Sequence, residues 1–219
     1  MKFYYNLMSQ PSRALHIFLR INKIPAEFIS IDLPNGEHLS DEYKAVNKFQ
    51  KVPCIIDDGW HLSESVAIFR YLMETNPSIP EHWYPKDPRA RARVDEYLEW
   101  QHNNTRLGCG IFFQITKNIG PFSFKTPDGE KPALPIFELL TEMTMEHFEN
   151  NWLADDNKKF LASDEISFAD LLAICEIEQA RAADYDPFKE RPKLRAWYER
   201  VKMAMNPFCE IAIEQAVRM

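Results

Sequence analysis

Four prolines, Pro77, Pro80, Pro85 and Pro88, crowd the stretch between Asn76 and Pro88. A proline ring clashes with the preceding turn and supplies no N–H, so a regular helix does not run through such a segment. It reads as a linker, and the chain changes character across it. Upstream, Lys2 to Tyr5 is strand-like, Pro11 to Ile21 carries Ala14, Leu15, Phe18 and Leu19 at helical spacing, and Phe28 to Leu33 alternates again. A charged helical stretch from Ser40 to Val46 precedes Val52 to Ile56, the turn Asp57-Asp58-Gly59 and Trp60 to Leu62, which together predict a hairpin. A helix from about Ser63 to Glu74 follows, with Leu62, Val66, Phe69 and Met73 on one face. Downstream only helical spacing appears: Val94, Tyr97, Leu98 and Gln101; Phe137, Leu140, Met143 and Phe148; Leu171, Leu172, Ile174 and Ile177; Leu194, Trp197, Tyr198 and Val201. The expected architecture is α/β followed by all-α: a β-α-β-α-β-β-α domain over residues 1–76, a linker over 77–87 and an all-helical domain over 88–219. A gap from Gly120 to Pro135 reads as a flexible loop within the second domain.

Composition removes several function classes. The net charge of −7 has the wrong sign for a protein that lives on phosphate backbones, so no nucleic-acid partner is expected. Arg89, Arg91 and Arg93 are followed by Asp95, Glu96 and Glu99, the pattern of a charged helix face. Only 6 glycines are present, against about 15 for average usage, which leaves little for glycine-rich nucleotide loops. No apolar run approaches the length of a membrane span and no signal-like segment opens the chain, so a cytoplasmic protein without a membrane partner is expected. Cys54, Cys109, Cys175 and Cys209 form no C-x-x-C pair, and the six histidines show no close ligand spacing, so buried free thiols and no metal are expected. Ser167, followed by Asp170, predicts a capped helix start worth about 1 kcal/mol, and Pro192 suits the first turn of the next helix.

Three junctions in the first domain present backbone groups free to bind something. Ser9-Gln10-Pro11 lies between strand and helix, where the Ser9 hydroxyl either caps the helix or faces an incoming anion or thiolate. Lys51-Val52-Pro53 precedes the third strand, where the Val52 main chain is either an edge turn or a partner for an extended peptide-like ligand. The sequence by itself predicts a trans Val52–Pro53 bond, since only about 5–6% of such bonds are cis. Ser63-Glu64-Ser65 opens the third helix, where Ser63 can cap, or the free N–H groups and Ser65 can take a carboxylate while Glu64 takes an ammonium.

Taken with His38-Leu39-Ser40, Glu64-Ser65-Val66-Ala67-Ile68, Trp83-Tyr84-Pro85, Ala90 to Tyr97 and Ile166 to Asp170, the motifs Ser9-Gln10-Pro11-Ser12-Arg13 and Lys51-Val52-Pro53 give the chain its resemblance. It resembles a cytosolic glutathione transferase, nearest the theta class and similar also to the insect delta-like, serine-dependent enzymes. The resemblance implies a thioredoxin-like first domain that binds glutathione, an all-helical second domain that supplies most of a hydrophobic co-substrate site, and a homodimer. It further implies that Ser65 holds the γ-glutamyl carboxylate, that Glu64 receives the amino group and that Val52 pairs with the cysteinyl backbone ahead of a cis Pro53. His38 and Lys51 are then near the glycyl carboxylate, and the thiol points at Ser9. Arg106 matches an arginine near the active site of theta-like enzymes, and Met8, Leu107, Phe112 and Phe113 are candidates to line the co-substrate site; the alternatives are a solvated helix arginine and ordinary core packing.

A cysteine-type thiol has a pKa near 8.5, so about 3% is thiolate at neutral pH, and the implied task is to stabilise that anion with a hydroxyl and a helix N-terminus. Tyrosine-dependent members carry their activating tyrosine six residues before the arginine that matches Arg13; here that position is Leu7 and the serine register is met by Ser9. Two departures stand out. The usual Val-Asn-Pro turn reads Val46-Asn47-Lys48, which predicts a looser approach to Lys51, and the end at Met219 predicts a more open second site. The implied activity is detoxifying transfer of glutathione to a small hydrophobic electrophile, with halide displacement and hydroperoxide reduction available to the same thiolate. A glutathione-binding carrier or scaffold with little turnover is the alternative, and a thiol-disulfide oxidoreductase would want a cysteine where the first helix has Ser9 and Ser12.

Overall fold

In the computed structural model, which describes residues 1–120, 126 and 129–218, strand β1 (Lys2–Tyr5) pairs in parallel with β2 (Glu27–Ser30) and antiparallel with β3 (Cys54–Asp57). β3 continues antiparallel into β4 (Trp60–Ser63), giving the sheet order β2-β1-β3-β4. Successive side chains of a strand face opposite sides, and β1 uses both. Phe3 and Tyr5 face helix α1 (Gln10–Ile21), where the Tyr5 ring meets His16 at 5.1 Å. Tyr4 faces α2 (Asp41–Val46) through an edge contact with Tyr43. Helix α3 (Ser65–Thr75) packs beside α1, with Phe69 set edge-on against Phe18 at 5.3 Å. This mixed sheet with helices is the thioredoxin-like arrangement that the resemblance implies.

The chain divides into two compact units, Met1–Pro80 with Met205–Met219, and Glu81–Ala204. The last helix, α9 (Phe208–Arg218), therefore differs from the sequence reading, which places everything beyond residue 88 in one helical domain. It buries Cys209 and Ala212 and packs on α1.

The second unit is all helical: α4 (Pro88–Trp100), α5 (Ile111–Lys117), α6 (Leu134–His147), α7 (Phe168–Arg181) and α8 (Pro192–Met205), the last ending at the boundary between units. Every residue of α7 from Phe168 to Ala180 is buried, so this helix forms the axis of the unit. Its start is secured by more than a cap: the buried Asp170 carboxylate accepts from the Ser167 N–H and hydroxyl, from the Leu161 N–H and from Trp197 Nε1. Helix α6 presents a different face from the one its spacing predicts. Thr141, Thr144 and Met145 point inward, and Phe148, just beyond the helix, is buried as its spacing predicts, whereas Met143 joins Ile136 and Leu139 in an exposed apolar stripe at helical spacing. Of the expected loop over residues 120–135, positions 121–125, 127 and 128 lie outside the described residues, and α6 already begins at Leu134.

Candidate functional site

The turn after β1 is built around a buried asparagine. Asn6, with no exposed surface, donates through Nδ2 to the Ile31 carbonyl at 2.7 Å and accepts the Met8 N–H on Oδ1 at 2.8 Å, while its carbonyl accepts the Ser9 N–H. Arg13, reaching back from α1, donates to the Leu7 carbonyl at 2.8 Å. The turn is thus clasped from both sides, and Ser9 stands at the N-terminal end of α1, where the helix dipole is positive. Its carbonyl accepts the Arg13 N–H at 2.9 Å, but its hydroxyl makes no capping bond and, among the described residues, reaches only the Val52 carbonyl, at 3.5 Å. Of the two roles open to Ser9 from sequence, side-chain capping is the one the geometry does not use.

Val52 and Pro53 are joined by a cis peptide bond, against the trans expectation from the sequence alone and in keeping with the resemblance. Among the described residues the Val52 N–H has no acceptor, and its carbonyl takes the long bond from the Ser9 hydroxyl, so the N–H is the main-chain group left open to an extended ligand. The segment before it is held firmly, which corrects the looser approach expected from Lys48: the Lys51 carbonyl accepts from Asn47 Nδ2 at 2.6 Å and from the Tyr43 hydroxyl at 2.9 Å. The Lys51 side chain is exposed. His38 lies in a 3-10 turn (Glu37–Leu39) that follows Gly36 in the left-handed region, and its Nδ1 is buried without a partner among the described residues.

Helix α3 starts two residues later than the spacing predicts, because Ser63 still belongs to β4 and Glu64, not Ser63, is the residue before the first turn. Glu64 has φ 72° and ψ 115°, a conformation that an L-residue with a side chain rarely adopts. The consequence is geometric. The backbone turns sharply, the Glu64 side chain stays exposed and Ser65 sinks to 4% exposure at the N-terminus of an 11-residue helix whose first N–H groups have no intrahelical acceptors. An anion at Ser65 and a cation at Glu64 is the charge pair this junction suits.

Of the residues proposed for the co-substrate, Met8 is half-buried in the turn clasped by Asn6. Arg106 and Leu107 belong to a π-helical turn, Arg106–Gly110, that leads into α5, and Arg106 donates through Nε to Glu176 of α7 at 3.0 Å. Phe112 is buried with its ring edge-on to Tyr185, while Phe113 and Leu107 are half-buried. Asn6, Tyr43 and Glu176 are not marked by the sequence reading. Asn6 is a buried polar residue directly after a strand, a signal that could have found it, whereas the partners of the other two lie at separations that no local pattern reports.

All four cysteines are free and buried, and burial pushes the Cys54 thiol up to about 11. Burial, with Arg20 nearby, lowers His16 to about 4, so it is a neutral ring packed between Tyr5 and Phe28. Among the described residues no group of histidine, cysteine and carboxylate side chains could hold a metal ion, and no helix is long and apolar enough to cross a membrane.

Comparison with known proteins converges on one family. Residues 1–74 match the model for the glutathione S-transferase N-terminal domain, and residues 141–203 match that for the C-terminal domain. Glutathione S-transferase theta-1 of Bos taurus is 41% identical over 216 residues, covering 99% of this chain and 87% of that protein. The theta-1 protein of Homo sapiens is 40% identical, covering 94% and 84%. Among solved structures, the apo form of human glutathione S-transferase T1-1 superposes with a TM-score of 0.88 at 37% identity, over 99% of this chain and 89% of that one. A human theta-class enzyme in complex with the glutathione conjugate of 1-menaphthyl sulfate gives 0.89 at 34% identity, over 99% and 86%. The chain belongs to the glutathione S-transferase family, within its theta class.

Proposed function

We propose that this transferase binds glutathione across the Val52, Glu64 and Ser65 junctions, ionises its thiol at Ser9 and transfers the sulfur to a small electrophile. The observation that carries the reading is the Ser9 hydroxyl, held at the N-terminal end of α1 yet excused from capping it. A hydroxyl donating to sulfur, beside a positive helix end, stabilises the thiolate relative to the thiol without itself becoming a nucleophile. In this reading Val52 pairs with the cysteinyl main chain, Ser65 and the α3 N-terminus take the γ-glutamyl carboxylate, and Glu64 takes the ammonium. His38 and Lys51 face the glycyl carboxylate.

The thiol proton leaves to solvent, the thiolate attacks carbon, and the bond to the leaving group breaks with its electron pair. Met8, Arg106, Leu107 and Phe113 are proposed to contact the electrophile, with Phe112 supporting them from the core. The exposed stripe Ile136, Leu139 and Met143 supports a homodimer, and the cytoplasm is the proposed location.

The test is the ultraviolet difference spectrum of bound glutathione against pH in wild type and Ser9→Ala. Thiolate at neutral pH in the wild type, lost in the variant together with about 100-fold in kcat, is expected. Glutathione bound but protonated in the wild type would overturn the mechanism and favour a carrier. A panel of alkyl halides, epoxides and hydroperoxides then identifies the electrophile.

A further inference from the structure

The helical unit contains a carboxylate that its fold alone does not explain. Glu176 lies on α7, the buried axis of the unit, with no exposed surface. Among the described residues it accepts a single hydrogen bond, across 70 residues of sequence, from Arg106 Nε at 3.0 Å. An arginine and a carboxylate ordinarily close as a two-point fork. Here the pair closes through one point, and both Glu176 Oε2 and Arg106 Nη2 are buried without partners among the described residues. Burying an ion pair costs several kcal/mol in desolvation per ion, and apolar residues of similar volume often do as well or better for stability. A half-satisfied pair in the core is therefore a poor stabilising device.

It is a good device for aiming a guanidinium. Arg106 keeps 28% of its side chain exposed, so it leads from the core towards the surface. Its backbone is equally constrained. The preceding Thr105 is buried against the Tyr97 hydroxyl at 3.2 Å, and the Gly108 N–H donates to the Asn104 carbonyl at 2.7 Å. At Gly108 the turn comes so near α6 that a Cβ would sit 3.3 Å from the Leu140 carbonyl oxygen. π-Helical turns of this kind recur at functional sites because they re-aim a side chain without breaking the helix. With Nε held by Glu176 and Nη2 lacking an acceptor, the guanidinium is fixed in direction and still short of a partner.

We infer that Glu176 is a positioning residue for the transfer reaction: it holds Arg106 so that the exposed part of that side chain faces negative charge developing on the electrophile or its leaving group. The inference rests on the proposed role of Arg106 and is independent of how the thiol is ionised at Ser9.

The experiment is a double-mutant cycle with Arg106→Ala and Glu176→Leu, using the alkyl halide, epoxide or hydroperoxide that the wild type turns over fastest. Nitrogen-15 spectra of the arginine side chains, with Arg106 assigned by its absence in Arg106→Ala, accompany it. Glu176→Leu leaves Arg106 Nε without its acceptor and should lower the thermal midpoint; in the folded variant kcat should fall about 10-fold, with KM for glutathione unchanged. It should have no further effect in the Arg106→Ala background, and the slowly exchanging Arg106 Nε–H of the wild type should become fast. Glu176→Gln, which retains an acceptor oxygen, should recover part of the rate, and it carries the same cycle if the leucine variant does not fold. Unchanged kcat in both Glu176 variants, equal losses with and without Arg106, or an Arg106 Nε–H indifferent to Glu176 would each overturn the inference. Full activity in Arg106→Ala would remove Arg106 from the reaction and this inference with it, leaving the Ser9 thiolate measurement untouched.

Discussion

The Ser9 hydroxyl donates to the Val52 carbonyl over 3.5 Å, joining the start of α1 to the segment before β3 across 43 residues. At that length the bond is weak. The hydroxyl can turn to a stronger acceptor, such as a thiolate, at little cost, while the backbone that carries it stays where Asn6 and Arg13 hold it.

That division of labour makes Asn6 as testable as Ser9. Asn6→Ala leaves the buried Ile31 carbonyl and the part-buried Met8 N–H without their partner. At about 1–3 kcal/mol for each orphaned group, the variant should lose about 3 kcal/mol in urea denaturation. The thiolate fraction of its bound glutathione at neutral pH should fall between those of wild type and Ser9→Ala, because the hydroxyl is present but no longer held. A wild-type thiolate fraction in a folded Asn6→Ala protein would show that the clasp serves stability alone.

Glu64 sets local strain against function. Its φ of 72° costs about 1–3 kcal/mol for a residue with a Cβ. Glycine relieves that strain but adds about 0.5–1 kcal/mol of unfolded-state entropy. Strain relief wins, so Glu64→Gly should be as stable as the wild type or up to about 2 kcal/mol more stable. In the proposed reading the ammonium of glutathione loses its carboxylate partner, and affinity should fall about 10-fold. Tm and glutathione titration read the two effects separately. A variant that gains stability and keeps its affinity would remove Glu64 from the binding site.

The legibility of this chain follows the range of the interactions. Ala14, Leu15, Phe18 and Leu19 are all buried in α1, as their spacing predicts, because helical periodicity is a local consequence of which face meets the sheet. The start of α3 lies two residues beyond the one its spacing suggests, because Ser63 is a plausible cap and glutamate is a poor candidate for a positive φ. On α6 the apolar set is large enough to supply two stripes, and only the packing decides that Met145 faces inward and Met143 outward. Asn6 with Ile31 and Arg106 with Glu176 are 25 and 70 residues apart, so nothing in either local window marks the partner.

His16 gives a pH dependence whose sign is fixed by its surroundings. Burial, reinforced by Arg20, lowers its pKa from 6.5 to about 4, so between those values the unfolded chain binds a proton that the folded chain does not. Its contribution to stability is therefore fully present above pH 6.5, falls as pH drops through the window and levels out below about 4. The total is about 3 kcal/mol, from roughly 1.36 kcal/mol for each tenfold loss of proton affinity. His16→Phe keeps a ring against Tyr5 and Phe28 and removes the titration. The stability difference between variant and wild type, followed by urea denaturation from pH 7.5 to 4.5, should grow in favour of the variant on acidification. A difference independent of pH would mean that His16 titrates alike in both states.

The start of α7 should prove far more costly to disturb than a helix cap. An exposed capping residue contributes about 1 kcal/mol, but Asp170 has no exposed surface and gathers four donors from three residues. Two of them, the Leu161 N–H at 2.8 Å and Trp197 Nε1 at 2.9 Å, reach it from outside the helix start, so the carboxylate ties α7 to α8 and to the segment before it. Asp170→Ala strips all four donors of their acceptor inside the core and should cost about 4 kcal/mol or more. Asp170→Asn keeps one acceptor oxygen, which can still serve Leu161 and Trp197, but it turns an amide towards the Ser167 N–H; a loss of about 2 kcal/mol is expected. Ser167→Ala removes one hydroxyl donor and leaves the other three bonds intact, so about 1 kcal/mol is expected there. The order alanine, asparagine, then Ser167→Ala in falling cost, measured as urea midpoints, separates a buried tie between helices from a cap. Equal and small losses in all three would reduce Asp170 to the cap that its spacing suggests.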